Sequence, residues 1–566
     1  MKEKLWRVQN YDKKKSESLS KSLGVSKIIS NLLVQRGIDS FDKSRNFFRP
    51  SLSNLHDPFL MKDMKKAVDR ISNAILHKQK ILIYGDYDVD GTTSVAMLYS
   101  FLKKYAVSID YYIPCRYSEG YGVSIKAIDY ASENNFDLII ALDCGITAIN
   151  QVKHAKSLSI DFIICDHHNP AKTVPNAVAI LNPKQIDCDY PYNELSGCGV
   201  GFKLIQAYCK QNNIVFDEIT GYLDLVAVSI AADIVPVTNE NRILAYHGLK
   251  LINTQPRLSI KILLGDSLSD KTVEMSDLSF TIAPRINAAG RINHAKKAVE
   301  ILIENEYSKL KQKAVDIEKN NNLRKNLDRY ITSEALEMLD NTKKTNIVYK
   351  KGWHKGVVGI VASRLIEKSY KPTIVFTEEN GILTGSARSV RGFNIYEAIS
   401  NCSQYCEKFG GHKYAAGLTV KKQNIIKFIN FFENEVASKI TDDQLTPKVL
   451  IDLEIDINQI DTKLFRIIKQ FSPFGPLNLN PIFVTKNIKK ISQLKVIGKN
   501  KDHLSLIIKT NKSNIKCIAF GFANQFKKIT NSEQLDICYY ITNNTWRGVS
   551  NLQINIVDIK TKSTLT

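Results

Sequence analysis

The sequence predicts an α/β molecule in parts: a parallel-sheet domain, a smaller α/β domain joined to it by a long helix, and a C-terminal β-barrel. Three observations carry that prediction. Between about residues 66 and 293, apolar runs of strand length alternate with helical stretches, the pattern of a parallel sheet with crossover helices. Residues 294–342 are charged, low in Gly and Pro, and helical in pattern, and a second strand and helix alternation follows at Thr345–Tyr349. Beyond about residue 445 the runs become short and β-rich. At 566 residues the chain exceeds one compact core. The expected parts are an N-terminal helical segment 1–65, a catalytic domain 66–293, a connector helix 294–342, a substrate-binding domain 343–444 and a barrel 445–566.

The first 65 residues are polar, helical in places, and carry no chemistry that can be named. In the next part the strand-like runs are Ile81–Tyr84, Ile109–Ile113, Leu138–Leu142, Phe162–Cys165 and Ala177–Leu181. Ligands of parallel sheets gather at the carboxyl ends of the strands, so the polar residues after each run matter most. Asp86, Asp88 and Asp90 follow the first run, Asp143 the third, and Asp166-His167-His168 the fourth, while a helical stretch Tyr222–Ala232 ends at Asp233. If the first strand runs on, its three carboxylates project to one side. Like charges this close raise one another's pKa, and their clustering calls for a cation.

A calcium loop also opens Asp-x-Asp-x-Asp-Gly, but it needs a Glu twelve residues along and a helix in front. Here the twelfth residue is Met97 and a strand precedes, so that reading fails. The plainer alternative is an Asp capping a helix that begins near Thr92. Aspartates with histidines make a hard, oxygen-rich site suited to Mn²⁺ or Mg²⁺. The carboxylates suffice for two ions sharing a bridging Asp, the arrangement that clamps a phosphoryl displacement.

In the connector, Asn320-Asn321-Asn322 is an expected weak point. Ahead of it, Ala283–Arg291 carries Arg285 and Arg291 flanking Asn287; with Arg116, these arginines offer bidentate forks for phosphates. The second domain brings Gly352–Gly359, Thr384–Ser389 and Phe409–Lys413, where glycine lets backbone N–H groups approach a ligand and a helix starting near Gly356 offers its N-terminus to an anion.

After the Pro473–Pro476 turn, the strand runs are Pro481–Thr485, Leu504–Lys509, Ile515–Phe520, Ile537–Tyr540 and Leu552–Val557. Seventeen basic against eight acidic residues in 451–566 fit an OB-fold that tracks phosphates and stacks bases, with Phe522, Trp546 and Arg547 as candidates.

A net charge of +21 favours a polyanionic partner, nucleic acid above all. The ten cysteines form no framework, and Cys402 and Cys406 have no second pair to complete a zinc site, so reduced thiols in a cytoplasmic protein are expected. Met1–Arg7 lacks the apolar core of a signal peptide, and no run is long enough to span a bilayer.

These residues carry a resemblance. Asp88-Val89-Asp90-Gly91, Asp143, Asp166-His167-His168 and Asp233 resemble the ordered motifs of the DHH phosphoesterase superfamily. Ile113–Arg116, Glu119–Gly122, Ala231–Pro236 and Ala283–Arg291 narrow the likeness to its bacterial exonucleases specific for single-stranded DNA. The resemblance implies a DHH catalytic domain, a DHHA1 substrate-binding domain, and processive 5′-to-3′ hydrolysis to 5′ mononucleotides with two Mn²⁺ or Mg²⁺ ions, in DNA repair and recombination.

Carried over residue by residue, it makes Asp88, Asp90, Asp143, His167 and Asp233 metal ligands, with Asp86 either a ligand or a support behind one. Asp90 is the expected bridge between ions, and His168 the group acting on the scissile phosphate or the leaving oxygen. Tyr84 stands where many superfamily members have a ligand histidine, which implies a different first metal site. Ser386 and Arg388 take the 5′ end and His412 the edge of the cleft.

Single-strand binding protein and a helicase are candidate partners of an expected monomer. Two alternatives stand beside this: a phosphodiesterase for short oligonucleotides or cyclic dinucleotides, which generally lacks the basic barrel, and a non-catalytic replication scaffold, which would not keep every ligand.

Overall fold

The computed structural model describes residues 3–265, 271–489, 491–511, 513–546 and 549–562. The chain forms two compact units, one of residues 56–235 and 247–447 and the other of residues 4–55, 236–246 and 448–566.

The first unit is built on two sheets. One is wholly parallel, with strand order Ile109–Tyr112, Ile81–Gly85, Leu138–Leu142, Asp161–Cys165, Ala179–Leu181. The strands Ile81–Gly85 and Leu138–Leu142 are buried at every position, as expected when helices cover both faces of a parallel sheet. The second sheet runs Lys408–His412, Ala415–Lys421, Ile382–Arg388, Thr373–Glu379, Asn346–Lys351, antiparallel except for the last pair.

The connector is a short helix, Lys296–Leu302, followed by the 31-residue helix Tyr307–Glu337. The helix runs unbroken through its three asparagines. Asn320 and Asn321 are buried; Asn320 Oδ1 accepts a hydrogen bond from Asn293 and Asn321 Oδ1 one from Arg324, while Asn320 Nδ2 is buried without a partner.

The aspartate triplet also differs from expectation. The first strand stops at Gly85, and the helix Val89–Leu102 begins at once, with Asp88 as its N-cap accepting from the Gly91 N–H. The three carboxylates therefore sit on a turn and a helix start, not on one face of an extended strand. Gly91 closes this turn because a Cβ there would lie 2.3 Å from the Asp86 carbonyl oxygen.

In the second unit a seven-stranded mixed sheet runs Leu453–Glu454, Phe483–Ile488, Gln534–Trp546, Val549–Lys562, Asn514–Ala519, His503–Lys509, Ile491–Ile497. Its core takes in Leu19, Ile29, Leu32 and Leu33 from the N-terminal helices Lys13–Leu23 and Lys27–Gln35. A strand at Leu5–Val8 pairs in parallel with Lys448–Ile451. Phe522 is buried in this core, while Phe520, two residues away, is 57% exposed with its ring edge-on to His503. Arg547 lies outside the described residues. No helix among the described residues is long and apolar enough to cross a membrane. All ten cysteines are free.

Candidate metal centre and phosphate cradle

Register builds the centre. Gly85 pairs with Leu142, Leu142 with Cys165, and Cys165 with Leu181, so four neighbouring strands end level with one another. The residues that follow, Asp86, Asp143, Asp166 and Asn182, therefore stand side by side at a strand spacing of about 4.8 Å. Asp143 leaves its strand in the left-handed region at φ +59°, which Asp tolerates better than most side chains.

Three overlapping groups result. Asp86, Asp88 and Asp143 offer oxygens within 4.8 Å of one another, and so do the ligand atoms of Asp90, His167 and Asp233 and those of Asp143, His167 and His168. His167 Nε2 lies 3.2 Å from Asp143 Oδ1, 3.6 Å from Asp233 Oδ2 and 3.7 Å from Asp90 Oδ2. Asp143 is thus the carboxylate that belongs to the first and third groups and reaches the second.

Asp90, the expected bridge, is held differently. Its Oδ2 accepts from the Gly197 N–H at 2.7 Å, and its Oδ1 accepts from the Cys198 N–H at 2.8 Å and the Ser229 hydroxyl at 2.7 Å. Those amides open the helix Gly197–Gln211, whose positive end favours a carboxylate. Gly197 is required here, because a Cβ would come 2.7 Å from Asp143 Oδ1. This glycine-spaced helix start behind Ser196 escaped the sequence reading; the Gly-Cys-Gly-Val-Gly run was its visible signal.

The electrostatics are those of a site short of positive charge. Burial and then neighbouring carboxylates push Asp86, Asp88 and Asp143 upward, and the same causes lift Asp233 to about 8. Burial pushes His167 down, towards its neutral, ligating form. Asp86 Oδ1, Asp143 Oδ1 and both ring nitrogens of His167 are buried without a hydrogen-bond partner. Asp86 Oδ1, Asp143 Oδ1 and one nitrogen of His167 are orphaned ligand atoms that fit divalent cations well.

His168 is fixed by Asp166, whose Oδ1 accepts from the His168 backbone N–H at 3.0 Å and meets its Nδ1 at 2.7 Å, and whose Oδ2 accepts from Ile146. Burial opposes the charged imidazole, but the Asp166 hydrogen bond together with the charges of Asp166, Asp233 and Asp90 outweighs it and lifts His168 to about 9. Its Nε2 meets the Tyr121 hydroxyl at 3.0 Å, a contact the sequence did not suggest.

Asp233 is the last residue of the helix Leu223–Asp233, and Ile234 ends that helix in the left-handed region at φ +60°. For a branched side chain this backbone costs about 1–2 kcal/mol.

Beside the acidic groups lies a basic one. Arg116 stacks over the Tyr87 ring at 5.1 Å, Arg291 donates to the Gly356 carbonyl at 2.9 Å, and Arg388 donates to Ser386 Oγ at 3.1 Å. None of the three has a carboxylate partner among the described residues. Burial and then the charges of Arg116 and Arg388 hold Arg291 down to about 10, and burial with Arg116 lowers Arg388.

The helix Val358–Lys368 begins beside them: a Cβ on Gly359 would lie 2.9 Å from Ser386 Oγ and 3.1 Å from Arg388 Nη2. His412 is exposed at the end of its strand and feels both Arg388 and His168, which sets it between the basic and acidic groups. Asn287 is half-buried on the helix Ala283–Ile292. Arg285, on the same helix, is not part of the cradle: its Nε donates to Glu318 at 2.7 Å.

Comparison with known proteins gives three family matches: the DHH family N-terminal domain over residues 80–230, the DHHA1 domain over 341–438 and the RecJ OB domain over 451–558. The chain is 36% identical to the single-stranded-DNA-specific exonuclease RecJ of Bacillus subtilis, covering 98% of this chain and 70% of that one. It is 33% identical to the RecJ of Haemophilus influenzae, covering 89% and 92%. Among solved structures, manganese-bound exonuclease RecJ matches with a TM-score of 0.60 at 29% identity, covering 69% of this chain and 97% of that one. The Mn²⁺ complex of RecJ from Thermus thermophilus shares the fold over 100% of this chain and 81% of that one, with a TM-score of 0.87 and 23% identity.

Proposed function

Because the chain belongs to the RecJ family of single-stranded-DNA-specific exonucleases, we propose that it hydrolyses single-stranded DNA from the 5′ end to 5′ mononucleotides. The observation that carries this reading is the juxtaposition of an acidic group rich in orphaned ligand atoms with a cradle of three unpaired guanidiniums. One suits divalent cations, the other a terminal phosphate.

Asp86, Asp88 and Asp143 would hold one ion, and Asp90, His167 and Asp233 the other, with Asp143 as the shared ligand. The ions are Mn²⁺ or Mg²⁺, and when bound they supply the Lewis acidity that activates water and offsets charge on the phosphate. Asp166 holds the His168 ring by its Nδ1, and Nε2, which meets the Tyr121 hydroxyl here, would exchange that partner for the substrate and give a proton to the leaving 3′ oxygen. Arg116, Arg291, Arg388 and Ser386 grip the 5′ phosphate, with His412 and Asn287 at the edge of the path, and so fix which bond lies at the centre.

The parts divide the work: 66–293 for chemistry, 343–444 for the strand end, and the basic 445–566 for the strand behind it. Such an enzyme acts in the cytoplasm as a monomer, where a helicase supplies single strand and single-strand binding protein coats it, in repair and recombination.

The test is digestion, with Mn²⁺, of a long 5′-phosphorylated single strand, its blunt duplex and a dinucleotide. Mononucleotides released from the single strand alone support the reading. An uncut strand, or a dinucleotide cleaved faster, overturns it.

A further inference from the structure

Ile234 adopts a backbone conformation that is strained for a branched side chain. Gly or Asn enters the left-handed region at its φ of +60° with little strain, and Ile does not. The apolar contact that often accompanies such a helix end would bury the side chain, yet Ile234 is 69% exposed. It is also the residue directly after Asp233, whose carboxylate lies 3.6 Å from His167. A branched apolar group is therefore held out into solvent at the rim of the centre.

We infer that Ile234 is a substrate-contacting residue whose side chain lies against the face of an unstacked nucleobase as the strand enters the centre. The inference rests on the single-strand reading above. Of the three parts of a nucleotide, the phosphate is matched by guanidiniums and cations, and the sugar is small and polar. The base face alone is broad and apolar, and in a single strand it is free of its pairing partner. Ile offers no hydrogen bond, so the contact discriminates base from no base but not one base from another.

The experiment compares the full chain with Ile234→Gly, Ile234→Asn and Ile234→Val on two substrates with Mn²⁺. One is a 5′-phosphorylated single strand, the other the same strand with tetrahydrofuran abasic residues in its first few positions. For the unaltered chain, KM rises about tenfold on the abasic strand, and kcat changes less. Ile234→Gly and Ile234→Asn show that raised KM on both strands, Ile234→Val stays close to the unaltered chain, and the thermal midpoint of Ile234→Asn does not fall. The inference is overturned if Ile234→Gly keeps the original KM on the intact strand, if its abasic penalty survives, or if Ile234→Asn melts well below the unaltered chain. Should the unaltered chain digest neither strand, the functional reading itself falls, and this one with it.

Discussion

The acidic centre and the basic cradle are mirror images in charge but not in construction. Asp86, Asp143 and Asp166 owe their positions to a single device, level strand ends in a parallel sheet. Arg116, Arg291 and Arg388 come from a loop, a helix and a strand of a different sheet, brought together only by tertiary packing. Each cluster repels itself, and each is relieved by a ligand of opposite sign. The difference teaches that level strand ends can gather carboxylates by one device, while the guanidiniums proposed to hold the strand end must be gathered from separate elements.

The sharpest break in this comparison is Asp143→Asn. It removes the proposed shared ligand, so cleavage falls by about a thousandfold or more, as expected for losing several kcal/mol of charge stabilisation. The same variant melts higher than the unaltered chain in chelator, because one of several crowded carboxylates is gone, and its melting point responds less to Mn²⁺. Initial rates and thermal melts with and without chelator check both statements.

Asp166→Asn comes next. Its carboxylate touches His168 and backbone amides, not the ligand atoms, so kcat falls by about a hundredfold through a misaligned His168. Mn²⁺ affinity, read by calorimetry, stays close to that of the unaltered chain.

On the basic side, Arg388→Ala reduces the preference for a 5′ phosphate over a 5′ hydroxyl by about tenfold or more, the worth of a charged hydrogen bond, and leaves metal binding intact. Arg285→Ala is the smallest effect: cleavage changes by less than about twofold, and loss of its half-exposed pair with Glu318 costs no more than about 1 kcal/mol in denaturant titration.

The Arg285–Glu318 pair shows where the sequence was legible and where it was not. All five strands of the catalytic sheet, and the acidic residues at their ends, follow from runs of apolar residues and the rule that ligands gather at strand ends. Arg285 and Arg291 looked equivalent as text. On the helix Ala283–Ile292, six residues at 100° each set them about 120° apart, so one groove takes only one of them. The hydrogen bonds that hold the Asp90 carboxylate come from Gly197, Cys198 and Ser229, more than a hundred residues away and invisible in its own motif. Phe520 and Phe522 are separated by one residue and lie on opposite sides of the burial boundary. Strand pairing between Leu5–Val8 and Lys448–Ile451 has no local signature at all.

The central claim is that Asp143 joins two cation positions in one centre. Titration of the full chain with Mn²⁺, followed by the loss of free-ion signal in electron paramagnetic resonance, tests it without reference to cleavage. The account predicts two bound ions for the unaltered chain and the loss of at least one in Asp143→Asn. Two ions bound by Asp143→Asn with undiminished affinity would contradict it.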